Sequence, residues 1–268
     1  MAIRYVVFTK DRRMQFRAFC ESINHYVNPS EIFVVTPKKY EGFDDIKNLN
    51  WVVEHGSFDK TYKDLIESFD SKDLLCSMVD DLIWYKSFDK EVAEQFLLNN
   101  EDVIGISLRL GLNTAGVNYA GPFNVWELED NKPMVAKFDW RGKLSHWAVG
   151  FELSCSIYRV STVKNFIKAF IRDIKIPNCI ESLGMDCLYR GVENRPKYAI
   201  FAEPSFCGCS DTNRCQDLYK NNTNGNQYTT IENLEKMYTE GYRINWKKYN
   251  KFLHSDPFTG TINLEFLK

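Results

Sequence analysis

The apolar and polar positions of residues 1–100 follow two different periods. Short runs rich in valine, isoleucine and aromatic side chains predict buried β-strands at residues 3–9, 31–37, 50–56 and 74–80. Between these runs, apolar residues recur every three or four positions, which predicts amphipathic helices over residues 13–26 and 59–69 and a third helix after residue 88. Strands that alternate with helices through short connections are typical of a mostly parallel sheet with helices on both faces.

Residues 101–268 have a less regular pattern, and we expect a mixed α+β half here. Strands are predicted at residues 102–111, 151–160 and 197–204, and a loop with an antiparallel hairpin at 116–140. Helices are predicted at residues 162–173, 180–191 and 231–241, with Asn178 as the cap of the second. Because we find no repeat and no low-complexity linker, we expect one domain over residues 1–268.

The composition is that of an ordinary globular protein, with 44% hydrophobic and 26% charged residues. The formal net charge of −2 argues against a surface that binds nucleic acid everywhere, but it leaves room for one basic groove. No apolar stretch approaches the roughly 20 residues that span a bilayer, and the amino terminus lacks the features of a secretion signal. We therefore expect a cytoplasmic protein whose eight cysteines stay reduced.

Two adjacent aspartates, Asp80 and Asp81, stand at the end of the fourth predicted strand and are followed at once by apolar residues. Unpaired carboxylates between buried residues are costly unless a cation or hydrogen-bond donors satisfy them. One interpretation is that the pair holds a hard divalent cation, which would bridge to the phosphates of a nucleotide. The alternative is a solvated strand end at which one aspartate caps the next helix.

Basic residues also follow strands of the predicted sheet, at the edge where ligands bind in α/β proteins. Lys10 and Arg12 come after the first strand, where the start of the next helix would help them to receive an anion. Lys63 lies in the same layer of loops, after the third strand. Arg109 stands between two leucines, so a carboxylate or phosphate partner is expected for it. For each of these residues, a charged loop or a structural ion pair is the alternative.

Three residues of the second half are candidates for further chemistry. Glu181, near the start of a predicted helix, is a competent general base if a cleft holds it, and Asp186 follows five residues later. His254 could serve as a third metal ligand, with a surface histidine as the alternative. The cysteines between residues 207 and 215 lack paired C-x-x-C spacing, so we do not predict zinc there.

Seven segments occur in a characteristic order: VVFTKDRRMQFRAFCESI, MVDDLIW, SLRLGLNT, FELSCSIYR, PNCIESL, NRCQDLYKNN and TIENLEKMYTEGYRI. In this order they resemble a family of small glycosyltransferases of the A fold, family-two-like and found in bacteria and viruses. The resemblance covers residues 3–244. It implies an α/β, Rossmann-like fold with a mostly parallel central sheet, in which residues 1–100 bind a nucleotide diphosphate sugar and residues 101–268 face the acceptor.

The resemblance also implies a reaction, in which a sugar moves to an acceptor hydroxyl and divalent manganese or magnesium lies between enzyme and diphosphate. Thr9, Lys10 and Arg12 would hold the base and ribose of the donor. Asp80 would contact the ribose, and both Asp80 and Asp81 would contact the metal. Lys63 and Arg109, from their positions in the sequence, are further residues expected to bind the donor. Glu181 would be the catalytic base, with Asp186 as the alternative.

Two departures from the family-like pattern affect these expectations. Leu82 stands where a third acid is common, so His254 or a water would complete the metal site. The segment FELSCS lacks the aspartate and histidine expected near Ser154 and Ser156, which bears on the acceptor. The expected acceptor is a saccharide of a surface glycan, and the alternative is a phage enzyme that glycosylates hydroxymethylated DNA bases. Other classes are a nucleotidyltransferase, which usually has a glycine-rich first loop, and a non-catalytic binding module.

Overall fold

The structure is a computed structural model. It describes residues 1–114, 124–126, 135–141, 145–170, 172–190, 196–201, 203–210, 212–218, 229–251 and 264–268. Nine strands within these ranges form the central sheet: β1 Ile3–Phe8, β2 Ile32–Thr36, β3 Leu49–Val53, β4 Leu74–Val79, β6 Val103–Ser107, β7 Asn124–Trp126, β8 Val135–Phe138, β9 Ser156–Arg159 and β10 Lys197–Phe201. Two short antiparallel pairs lie outside it, β5 Leu82–Trp84 with β11 Cys207–Cys209 and β12 Arg243–Ile244 with β13 Phe266–Leu267.

The strand order of the central sheet is β3-β2-β1-β4-β9-β6-β10-β8-β7. Strands β1 to β4 run parallel to their neighbours among themselves, and β6 runs parallel to β10. Strand β9 is antiparallel to both β4 and β6, and β8 is antiparallel to β10 and β7. Only β8 and β9 of these described strands therefore oppose the common direction, so the predicted α/β fold with a mostly parallel sheet is confirmed.

Helices cover both faces of this sheet, as the alternating pattern predicts. Their bounds are α1 Arg13–Tyr26, α2 Phe58–Ser68, α3 Lys90–Asn99, α4 Val160–Ala169, α5 Pro177–Arg190 and α6 Ile231–Thr239. One apolar core contains side chains of α1, α3 and α6, and the other contains side chains of α2, α4 and α5. Strand β1 contributes Tyr5 and Val7 to the first core and Val6 and Phe8 to the second, because successive side chains of a strand point to opposite faces.

Two predicted elements differ from the observed ones for local reasons, and one observed strand was not predicted. Strand β9 begins only at Ser156, because Cys155 has a φ of 70° and interrupts the extended backbone predicted from residue 151. Helix α5 begins at Pro177, so Asn178 lies inside the first turn and is not the cap. Strand β5, directly after the two aspartates, was not predicted. Among the described helices, none has both the length and the apolar character needed to cross a bilayer.

Candidate functional site

Several predicted site residues lie along one edge of the central sheet, here called the carboxyl edge, where β1, β4, β6 and β10 end. Parallel strands end at the same edge, so Thr9, Asp80 and Leu108 follow their strands there. Strand β9 runs the other way and begins at this edge, since Ser156 pairs with Ser77 of β4 and with Ser107 of β6. Loops at such an edge are where α/β proteins bind ligands.

A first cluster joins Thr9, Arg12, Asp80 and Asp81, and we call it the aspartate–arginine cluster. The Thr9 hydroxyl donates to Asp80 Oδ2 at 2.7 Å and contacts the Tyr40 hydroxyl at 3.1 Å. Arg12 Nε donates to Asp80 Oδ2 at 3.2 Å, and Arg12 Nη2 pairs with Asp80 Oδ1. Arg12 Nη1 donates to Asp81 Oδ2 at 3.0 Å. One guanidinium thus bridges the two adjacent carboxylates.

The loop between β1 and α1 brings Arg12 into this position. Asp11 has a φ of 55°, in the left-handed region that aspartate enters more readily than most residues. Arg12 then occupies the N-cap position of α1 without capping the helix, so its side chain is available for the end of β4. Arg12 Nη1 also donates to the Asn213 carbonyl at 3.4 Å, which attaches a segment from the second half of the chain to the cluster.

Burial and charge oppose each other in this cluster. Burial raises the pKa of Asp80 to about 6, while the charge of Arg12 acts against that rise and the charge of Asp81 adds to it. Burial by itself would lower the pKa of Arg12, but the charges of Asp80 and Asp81 outweigh it and raise the pKa. Since one guanidinium offsets only one of two carboxylates, one formal negative charge remains among these three residues.

Arg12 weakens the argument for a metal ion at the aspartate pair, because its guanidinium supplies positive charge that we had expected from a cation. Asp80 is fully buried; its Oδ2 accepts from Thr9 and Arg12, and its Oδ1 has the ion pair with Arg12 Nη2 but no hydrogen bond to any residue that the structure describes. Asp81 Oδ1, however, is buried with no hydrogen-bond partner among the described residues. No group of three or more acidic, histidine or cysteine side chains within the described ranges is arranged to hold a metal. One carboxylate plus substrate phosphates is nevertheless a usual ligand set for Mg²⁺, so Asp81 fits such an ion.

A second cluster lies farther along the carboxyl edge, around Arg109 and Glu152, and we call it the buried ion-pair network. Arg109 Nη2 pairs with Glu152 Oε2, and both residues are 2% exposed. Glu152 Oε1 accepts hydrogen bonds from the Ser107 hydroxyl at 3.0 Å and from the Ser156 hydroxyl at 2.8 Å. Arg109 therefore has the carboxylate partner that its position between two leucines predicted.

Glu181 of α5 lies next to this network and is half-buried. Its Oε1 accepts a hydrogen bond from the Leu153 backbone N–H at 2.8 Å. Burial raises the pKa of Glu181 to about 7; the Leu153 hydrogen bond and the charge of Arg109 oppose the rise, and the charge of Glu152 adds to it. A carboxyl group with such a pKa exchanges its proton close to neutral pH, as a general base must.

The backbone around Cys155 connects the two clusters. Its N–H donates to the Ser77 carbonyl of β4 at 2.9 Å, and its carbonyl accepts from the Leu108 N–H at 2.9 Å. The segment that carries Glu152 therefore lies between the strand that leads to Asp80 and the strand that leads to Arg109. Asp80, Arg109 and Glu152 therefore share one edge of one sheet.

The other candidates that the structure describes make no contact with these clusters, although Lys10 directly follows Thr9. Lys63 pairs with Asp59, four residues earlier on its own helix, at 2.8 Å. Asp186 pairs with Arg172 at 3.2 Å on the exposed surface, so it is not positioned beside Glu181. Lys10 is exposed, and its charge acts on the half-buried Glu54. His254 lies outside the described residues.

Sequence reasoning missed Glu152, although a usable signal was present. Glu152 stands between Phe151 and Leu153, just as Arg109 stands between two leucines. A charged residue in an apolar run needs a partner, and the two runs supply partners for each other. Asn213, which contacts Arg12 and also accepts from the Gln15 side chain at 3.0 Å, had no comparable signal, since asparagine is common in polar loops.

No protein-family model matches the sequence, and no curated protein is significantly similar to it. Among solved structures, TarS from S. aureus is similar over 77% of this chain, with 15% identity and a TM-score of 0.48. This chain spans 36% of the TarS chain. A CMP:2-keto-3-deoxy-manno-octonic acid synthetase complexed with CTP is similar over 78% of this chain and 92% of its own, with 11% identity and a TM-score of 0.41. A 4-diphosphocytidyl-2C-methyl-D-erythritol synthase from Anaerococcus prevotii is similar over 74% and 87%, with 8% identity and a TM-score of 0.36. These are distant similarities in backbone fold.

Proposed function

We propose that the protein is a glycosyltransferase that moves a sugar from a nucleotide diphosphate sugar to an acceptor hydroxyl. The observation that supports the proposal is that two acidic residues in different surroundings, Asp81 and Glu181, lie at the carboxyl edge. Asp81 offers an unpartnered carboxylate oxygen beside Arg12. Glu181 offers a carboxylate whose pKa is raised to about 7. Transfer from a diphosphate donor needs both a site for the leaving group and a base for the acceptor.

The aspartate–arginine cluster is the donor side of this proposal. Thr9, Lys10 and Arg12 follow β1 and would hold the nucleotide, with Asp80 keeping Thr9 and Arg12 in place. Asp81 would bind Mn²⁺ or Mg²⁺, which when bound offsets the negative charge that develops on the departing diphosphate. Arg12 keeps Asp81 Oδ2 occupied, so Oδ1 is the atom left for the ion.

Glu181 is the acceptor side. The Leu153 N–H occupies Oε1, so Oε2 is the oxygen that would take the proton of the attacking hydroxyl. Glu152 is nearby but is unsuited to this step, because it is 2% exposed and already accepts from Arg109, Ser107 and Ser156. A base beneath the acceptor implies inversion at the anomeric carbon. We propose a saccharide hydroxyl as the acceptor, and a hydroxymethylated DNA base is the alternative that acceptor assays would test.

The first experiment is a thermal-shift panel of nucleotide diphosphate sugars, with and without Mn²⁺, followed by product analysis for any donor that stabilises the protein. We expect a donor that stabilises more with Mn²⁺ than without it, and release of a nucleoside diphosphate on turnover. Release of pyrophosphate from a nucleoside triphosphate would instead identify a nucleotidyltransferase. Binding without any turnover over a full panel of acceptors would support a binding module.

Three matched substitutions assign the roles. Asp81→Asn should abolish the Mn²⁺-dependent part of the donor shift, and Glu181→Gln should lower turnover by about 10²–10⁴-fold while donor binding is retained. Asp186→Asn, on the same helix as Glu181 but in an exposed pair with Arg172, should leave both properties unchanged. Unchanged turnover in Glu181→Gln would contradict the proposed base, and an unchanged Mn²⁺ effect in Asp81→Asn would contradict the proposed metal site.

A further inference from the structure

Glu152 belongs to a segment that is bound to α5 by consecutive residues. The Gly150 N–H contacts Met185 Sδ at 3.2 Å, and the Leu153 N–H donates to Glu181 at 2.8 Å. Between them, the ring of Phe151 lies so close to Gly184 that no side-chain carbon would fit there. The segment thus follows one face of α5, on which residues 181, 184 and 185 are neighbours.

The same segment is held on its other side by the buried ion-pair network. The Tyr158 hydroxyl accepts from the Glu152 N–H at 2.7 Å and contacts the Glu152 carbonyl at 2.9 Å. Through its side chain, Glu152 pairs with Arg109 and accepts from Ser107 and Ser156. Both the backbone and the carboxylate of Glu152 are therefore fixed, and the next N–H along the chain is the one that reaches Glu181.

We propose that Glu152 is a positioning residue for Glu181: it holds the Leu153 N–H against Glu181 Oε1 and keeps a fixed negative charge beside that carboxylate. This inference rests on the proposed role of Glu181 as the base. It assigns to the buried ion-pair network a function beyond folding. The network holds the Glu152 carboxylate in its pair with Arg109, and Glu181 beside it keeps Oε2 for the exchange of a proton. Two acids in unlike surroundings can divide the roles of charge and proton carrier in this way.

Two charges in the described residues act on Glu181, and they have opposite signs. Glu152 favours the protonated form of Glu181, and Arg109 favours the ionised form. Removing Glu152 alone leaves Arg109 without its carboxylate, so both changes act in the same direction and lower the pKa of Glu181. Removing both charges together cancels most of the effect.

The test is a titration of the Glu181 side-chain carboxyl carbon by NMR, in protein labelled with ¹³C at that carbon of glutamate and with Glu181→Gln to assign the signal. Glu152→Gln should lower the pKa of Glu181 by about one unit or more. Arg109→Gln combined with Glu152→Gln should return it close to the wild-type value. Arg109→Gln alone, which removes the positive charge and keeps Glu152, should raise the pKa of Glu181, and it tests the inference if Glu152→Gln fails to fold. Ser107→Ala keeps both charges and removes one hydrogen bond, so the Glu181 titration should not move.

An unchanged Glu181 titration in Glu152→Gln would overturn the inference, and so would equal shifts in the single and double variants. The acid limb of the turnover profile should move with the NMR value, which a merely structural role of Glu152 would not produce. The titration needs no substrate, so its outcome is separate from that of the proposed function. An absence of donor turnover in the wild-type protein would contradict the proposed function. An unchanged pKa of Glu181 in Glu152→Gln, in a protein that is active as wild type, would contradict only the role of Glu152.

Discussion

Arg12 determines what each of the two adjacent aspartates can do. It bridges both carboxylates, and the hydroxyl of Thr9 completes the surroundings of Asp80. Through these contacts Asp80 connects the loop after β1 to the end of β4. Asp81 Oδ1 has neither a hydrogen bond nor an ion pair in the described part of the chain, so it is the oxygen that we propose for a ligand.

We expect Arg12→Ala to lower the free energy of unfolding by about 3–5 kcal/mol, because it leaves two buried carboxylates without their shared cation. Arg172→Ala, which removes an exposed pair with Asp186, should cost less than about 1 kcal/mol. Urea unfolding of the two variants at neutral pH measures the difference. If Arg12→Ala lowered the free energy of unfolding as little as Arg172→Ala does, Arg12 would not be the residue that neutralises the two buried carboxylates.

The pKa of Glu181 predicts how turnover changes with pH. A general base acts only when it is ionised, so kcat/KM should rise about tenfold per pH unit below about 7 and level off above it. An acid limb near pH 4.5, the ordinary value for glutamate, would contradict the role of its surroundings.

The same shift affects stability in the opposite direction. A raised folded-state pKa means that the folded protein favours protonated Glu181, so this contribution is complete below about pH 4.5 and is lost as pH rises through about 7. Glu181→Gln keeps an acceptor for the Leu153 N–H without the charge. The melting temperature of that variant relative to wild type should therefore increase between about pH 5 and 8, the window in which Glu181 of the wild-type protein becomes ionised.

At the scale of elements, the packing of α5 against residues 150–153 decides where Glu181 lies. At Gly184 the ring of Phe151 occupies the space that a side chain would need. Helix periodicity alone places Glu181 and Gly184 on one face, but it does not say what that face contacts. The contact with the segment that follows Gly150 is a property of the packed structure.

Gly184→Ala should therefore displace α5 from the segment and cost about 1–3 kcal/mol, in spite of the better helix propensity of alanine. Turnover should fall as well, because the Leu153 contact with Glu181 lengthens. Ser182→Ala, two residues away on the half-buried side of the same helix, should change stability by less than about 0.5 kcal/mol. Urea unfolding and turnover of both variants test this, and a stabilised Gly184→Ala protein would refute the close contact.

At the scale of the whole molecule, strand order ties the two halves of the chain together. Strand β9, from the second half, lies between β4 of the first half and β6. Residues 1–100 by themselves would leave β4 with an unpaired edge, and such edges are poorly tolerated. Helix α6 near the carboxyl end also reaches back to α1, where Glu235 pairs with Arg13 at 2.6 Å.

We therefore predict that the chain unfolds as one domain. Far-ultraviolet circular dichroism and the fluorescence of the six tryptophans, which occur in both halves, should give coincident transitions in urea. Addition of a reducing agent should not shift the midpoint, because none of the eight cysteines, which all lie in the described ranges, forms a disulfide. Two separated transitions would show that the halves are independent domains.

The sequence by itself determined the elements whose signal is local. Residues 13–26 were predicted as a helix and form α1 with the same bounds, because three- and four-residue apolar spacing depends only on neighbours along the chain. The alternation of strands and helices likewise led to the mostly parallel sheet. Charged residues in apolar runs, such as Asp80 and Arg109, were correctly marked as needing partners.

Only the tertiary structure decided which partners those are. Arg12 lies 68 residues from Asp80, and Glu152 lies 43 residues from Arg109, distances over which spacing carries no information. A charged residue in an apolar run predicts that a partner of opposite charge is present. For an aspartate that partner could be a metal ion or an arginine, and for an arginine it could be a carboxylate or a substrate phosphate. The choice among them depends on which side chains the packed strands and helices bring within hydrogen-bond distance.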